Sequence, residues 1–128
     1  MLLFGHPWIK NRIFKKVFSV EDITHTSPKE IVLLEPLSDS IALAQHCQKE
    51  KIDFAVTVNS ITEALFANAL QSQYILCQTE DATKIQPLAQ EYLFDAKILT
   101  LVTSEKEIQK MAELSIDGVV FSEAIAAS

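Results

Sequence analysis

Glycine is nearly missing from this 128-residue chain, which has 2, beside 4 prolines and 2 cysteines. A phosphate cradle built from glycine backbone is thereby excluded, and no Walker loop, GxGxxG or GxSxG pattern occurs. Cys47 and Cys77 stand far apart without CxxC spacing, so they are expected as reduced thiols. Cys77 has no histidine neighbour. Cys47 follows His46 within a predicted helix, where consecutive side chains point about 100° apart and do not face each other. Both thiols are therefore expected in packing roles, and no catalytic residue can be named. His6, His25 and His46 form no HxH or HxxxH pair, so no metal and no cofactor is expected.

Long hydrophobic runs are also missing. Each apolar stretch spans a handful of residues, far short of the roughly 20 that cross a bilayer. Residues 1–9 are mostly apolar, but no charged start precedes them and no small-residue cleavage site follows. A cytoplasmic protein without membrane contact is expected. Acid outweighs base overall, 17 to 11, but unevenly: residues 1–20 hold Lys10, Arg12, Lys15 and Lys16 and no acid, while the remainder carries a net charge of −10. Such an acidic body repels phosphate backbones over about a Debye length, roughly 8 Å at physiological salt, which disfavours nucleic acid as a partner. The basic end is expected to be a solvated edge complementing the acidic body.

What is present is a rhythm. Val58-Asn59-Ser60-Ile61-Thr62-Glu63 and Val102-Thr103-Ser104-Glu105-Lys106-Glu107 each follow an apolar run and open an amphipathic stretch. Ser-x-x-Glu at each start predicts a capping box. Consecutive apolar centres at 30–35, 53–58, 73–77, 96–102 and 118–121 predict strands covered on both faces. Helices are expected between them: one from Ser38 or Asp39 to about Lys49, one after Ser60, one starting near Pro87 after a looser turn from Asp81, and one after Ser104. A last helical turn is expected from Ser122.

The expectation is a single α/β domain over 1–128, with about five parallel strands alternating with helices. A curved half-barrel and a flavodoxin-like open sheet both fit, and the repeated βα unit favours the half-barrel. Residues 1–28 break the rhythm and read as an N-terminal extension, with an extra strand within 12–18. Four of the ten aromatic residues, Phe4, Trp8, Phe14 and Phe18, lie here and must bury their rings in the domain itself or against a second subunit.

The stretch from Lys97 through Ser104, with Ile116-Asp117-Gly118-Val119-Val120-Phe121 and Ser122 to Ile125 after it, resembles the last βα units of phosphate-binding (β/α)8 barrels of the indole-glycerol phosphate synthase kind. Residues 54–77 resemble a preceding unit. The resemblance implies parallel βα architecture with any site at the carboxyl ends of the strands. It departs from those barrels after the last strand, where they place a glycine beside the phosphate and this chain has Ser122 and Glu123. A phosphorylated substrate is not implied, and the chain is about half as long as a full barrel.

Two functional expectations follow. The first is a non-catalytic, homodimeric interaction protein that uses Phe4, Trp8, Phe14 and Phe18 as its contact. The alternative is a small-molecule-binding protein or minimal enzyme with its site at the strand ends, lined by Glu35, Asn59, Gln78, Ser104 and Glu123. A carboxylate of raised pKa, at Glu35 or Glu123, would mark the second.

Overall fold

Eight strands and five helices alternate along residues 1–126, which the computed structural model describes. β1 (Leu2–Phe4) and β2 (Ile13–Lys16) come first, followed by the short α1 (Val20–Thr24). Then come β3 (Glu30–Leu34), α2 (Ile41–Glu50), β4 (Phe54–Thr57), α3 (Ile61–Ala69) and β5 (Tyr74–Cys77). The chain ends with α4 (Thr79–Glu91), β6 (Lys97–Val102), α5 (Lys106–Glu113), β7 (Gly118–Phe121), a 3-10 turn at Ser122–Ala124 and β8 (Ile125–Ala126). All strand pairs are parallel, in the order β1-β7-β6-β5-β4-β3-β2-β8. The fold is thus the α/β half-barrel, with eight strands where the repeat alone counted five.

The row of strands ties its own ends together. β1 pairs with β7 at one end and β2 pairs with β8 at the other. Yet β1 and β2 are consecutive in the chain, and only the 3-10 turn separates β7 from β8. The sheet must therefore curl. Aromatic rings record how tightly: Phe14 on β2 meets Tyr74 on β5 at 5.8 Å between centroids, and Phe4 on β1 meets both, at 4.9 Å and 5.6 Å.

Curling gives two cores, one on each face. Successive side chains of a strand point to opposite faces. Ile31, Leu33, Ala55, Leu76, Leu99 and Val120 fill the concave side around the aromatic rings. Val32, Leu34, Phe54, Val56, Ile75 and Ile98 pack outward against the helices, which contribute Ala44, Cys47, Ala64, Ala67, Ile85 and Met111. This double coverage explains why the strands read as unbroken apolar runs.

The aromatic extension is resolved by this geometry. Phe4 and Phe14 are 1% and 0% exposed inside their own barrel, so they cannot serve as the intersubunit contact expected of them. Trp8 and Phe18 are on the surface, at 86% and 64%. Two of the four basic residues pair with the body of the same chain, Arg12 with Asp53 at 3.4 Å and Lys16 with Glu35 at 2.8 Å. That accords with the self-complementing edge read from the charge pattern.

Two local expectations are corrected. α4 does not wait for Pro87 but runs through it from Thr79, because Ala82, Ile85, Gln86 and Ala89 bury one continuous face across that position. The ring only removes the amide that would have met the Thr83 carbonyl. The second capping box is half formed: Glu107 Oε2 accepts from the backbone amides of Thr103 and Ser104, at 2.7 and 3.0 Å, but the Ser104 hydroxyl makes no cap. The first is complete on its serine side, with Glu63 N donating to Ser60 Oγ at 3.1 Å. The last helical turn expected from Ser122 forms over Ser122–Ala124, and the chain then extends again as β8.

Replacing Phe14 with alanine is expected to cost about 3–5 kcal/mol of unfolding free energy, as for other large aromatic side chains removed from a core. Trp8→Ala should change it by no more than about 0.5 kcal/mol, the usual range at exposed positions. Urea unfolding of the two variants checks the assignment of one ring to the core and the other to the surface.

Candidate functional site

Because every strand runs the same way, the carboxyl ends of all eight share one rim, where parallel α/β folds place their ligands. Residues 6–8 cover one side of it. His6 lies over the end of β7, its ring 5.8 Å from Phe121 and 5.2 Å from Trp8, and its Nε2 is bonded to Glu105 just past β6. The Trp8 amide donates to His6 Nδ1 at 3.1 Å, so that nitrogen is bare and the ring proton sits on Nε2, facing Glu105. Beside this cover lies an apolar groove of about 410 Å³, walled by Leu3, Trp8, Ile9 and Ile108.

The opposite side, at β2, β3 and β4, stays open. A recess of about 370 Å³ lies there. Lys16 ends β2, Glu35 and Pro36 follow β3, Thr57 ends β4, Asn59 leads into α3 and Glu63 lies in its first turn. Phe18 and Val58 add apolar surface. Register explains the meeting: Lys16 pairs with Leu33, two residues before Glu35, and Leu34 pairs with Val56, next to Thr57. Three neighbouring strands thus end at one level.

The electrostatics centre on Glu35. Burial pushes its carboxyl up, but hydrogen bonds from Lys16 and Thr57, together with the Lys16 charge, outweigh that and hold it below the usual glutamate range. The expected raised carboxylate is therefore not Glu35, which is ionised at neutral pH and paired with a lysine. Asn59 is held by Glu63, whose Oε1 accepts the Asn59 amide at 3.2 Å. The Asn59 carboxamide meets the two Glu63 oxygens at 3.0 and 3.3 Å through its nitrogen, since carboxylate oxygens only accept.

Of the residues expected at the site, Glu35 and Asn59 come together in this recess. Gln78 at the start of α4, Ser104 before α5 and Glu123 in the 3-10 turn lie on the same rim, exposed, and do not line it. Lys16, Thr57 and Glu63 were missed. A signal for Lys16 existed: a cation at the end of one predicted strand and an acid at the end of the next fall side by side if the strands are parallel neighbours.

Neither thiol serves as a nucleophile: both are buried, and burial pushes Cys47 up to about 11 and Cys77 up to about 12. Among the described residues no group of three or more His, Cys, Asp or Glu could hold a metal ion, and no helix is long and apolar enough to cross a membrane. No protein-family model matches the chain, and no curated protein matches its sequence.

The ion pair gives a prediction with a definite sign. The lowered pKa means that Glu35 stabilises the fold above the unfolded-state glutamate pKa, about 4.3, and that this contribution is lost as pH falls through the folded value. In Lys16→Met the burial effect remains while the lysine hydrogen bond and charge are gone, so the Glu35 pKa should rise. Carboxyl-carbon NMR titration of the two proteins reads that rise directly; an unchanged Glu35 pKa would mean that the lysine does not set it.

Proposed function

We propose that the protein is a small-molecule-binding domain whose site is the recess at the ends of β2, β3 and β4. The observation that carries this is the convergence of Glu35, Lys16 and Thr57 from three separate strands onto one open cavity beside Phe18. The pair of opposite charges offers a ligand both a donor and an acceptor, and Phe18, Pro36 and Val58 offer it an apolar face. With Glu63 the recess carries two acids and one base, so the favoured ligand is an uncharged or cationic polar molecule with an apolar side. The location agrees with the strand-end site that the resemblance to βα barrels implies.

A second reading rests on a different observation, the exposed indole of Trp8 beside the groove of Leu3, Ile9 and Ile108. Trp is enriched at the centres of protein interfaces, and a homodimer joined through this face would cover the ring.

Native mass spectrometry of gently purified protein separates the two. A stoichiometric adduct of a few hundred daltons on a 14.3 kDa chain, lost in Glu35→Gln, is the outcome expected of the binding domain. A species of twice that mass without adduct, returning to monomer in Trp8→Ala, is the outcome expected of the homodimer.

A further inference from the structure

A second cavity lies at the opposite rim, where the strands begin. It measures about 520 Å³ and reaches from Leu2 at the start of β1 to Tyr74 and Lys97 at the starts of β5 and β6. The last turn of α3 supplies Asn68, the loop after it Ser72 and Gln73, and Asp95 stands just before β6.

The polar groups around it are oriented. The Gln73 Oε1 accepts the Phe54 amide at 2.7 Å, and the Asn68 Oδ1 accepts the Ala96 amide at 3.4 Å. A backbone amide only donates, so in both residues the oxygen is committed and the NH₂ group is turned away from that bond. Neither NH₂ donates to another protein group among the described residues. Ser72 is 3% exposed, and its hydroxyl has no hydrogen-bond partner. A buried polar group without a partner costs free energy that a ligand or an ordered water recovers. Lys97 opens β6 and Asp95 stands two residues before it in a bend, and neither is in an ion pair among the described residues.

Two amide NH₂ groups, a hydroxyl and an ammonium suit a carboxylate. A bare anion is disfavoured, because Asp95 and the carbonyl end of α3, the negative pole of its dipole, border the same space. A molecule with a carboxylate at one end and an ammonium at the other answers both. We infer that this cavity binds a free amino acid, its carboxylate toward Lys97 and the carboxamides of Asn68 and Gln73, its ammonium toward Asp95. Leu2 and Tyr74 give its side chain an apolar wall, which makes leucine the first probe.

The test is a titration of ¹⁵N-labelled protein with leucine at millimolar concentrations, following the side-chain NH₂ signals of Asn68 and Gln73. Both signals are expected to shift. Lys97→Gln and Asp95→Asn should each weaken binding about tenfold or more, as when a hydrogen bond to a charged group is lost. N-acetyl-leucine amide, which lacks both charges, should leave the signals in place, and Glu35→Gln at the other rim should bind leucine as the parent does. Absence of shifts with every standard amino acid overturns the assignment. So do equal shifts with the blocked amide, or unchanged affinity in both rim variants.

Discussion

The concave face of the sheet has no helix to cover it, so the strands must fill it with their own side chains. That requirement shapes the rest of the molecule. Large residues from opposite sides of the curl, Phe14 on β2 and Tyr74 on β5, have to touch, and they do so only because β1 with β2 and β7 with β8 tie the ends of the row. The outer face is solved in the ordinary way, by helices. On α3 and α4 the buried positions are mostly small, Ala64, Ala67, Ala82 and Ala89, which lets these helices lie close to the strands. Close approach at the other end of the sheet depends on Gly118, where a Cβ would stand 2.7 Å from the Leu2 carbonyl oxygen. Any side chain there would push β1 off β7.

The same curl decides the chemistry available at each rim. At the carboxyl ends, residues 6–8 lie over the β6–β7 side, and the His6–Glu105 contact anchors them. The residues of the open recess then gather on the β2–β4 side, where α3 begins two residues after Asn59. Glu35 is held ionised there by a lysine at the end of the neighbouring strand and by Thr57. A carboxylate so held makes a fixed hydrogen-bond acceptor and a poor proton donor.

Much of this architecture was legible from local sequence. Runs such as Ile31-Val32-Leu33-Leu34 declare a strand with two dry faces, and Ser60 with Glu63 declares a helix start. The end strands were harder, because three residues in β1 and two in β8 carry no periodicity of their own. The fates of the four N-terminal aromatics were hidden for a related reason. Phe14 and Phe18 look alike in sequence, but Phe14 faces inward because its strand pairs in register with Ile31, whereas Phe18 lies beyond the strand's end. Register is a non-local property. Lys16 was hidden in the basic stretch for the same reason: its partner is nineteen residues away in sequence and adjacent only once β2 and β3 align. Pro87 failed the other way, as packing along α4 overruled a local rule.

The tying of the sheet's ends also governs the order of assembly. Residues 2–4 and 13–16 are the first strands to be made, and their partners on one side, 118–120 and 125–126, are among the last. Contacts of such sequence separation slow folding, because the entropy of closing the chain is spent before they form. During synthesis the central strands can pair one after another as they emerge. Phe14 can meet Ile31 and Tyr74 as these strands form, but Phe4 must wait with its ring in water until β7 has been made. The nascent chain therefore carries the Phe4 ring unprotected the longest, and an early stop anywhere before β7 leaves β1 without the strand it pairs with.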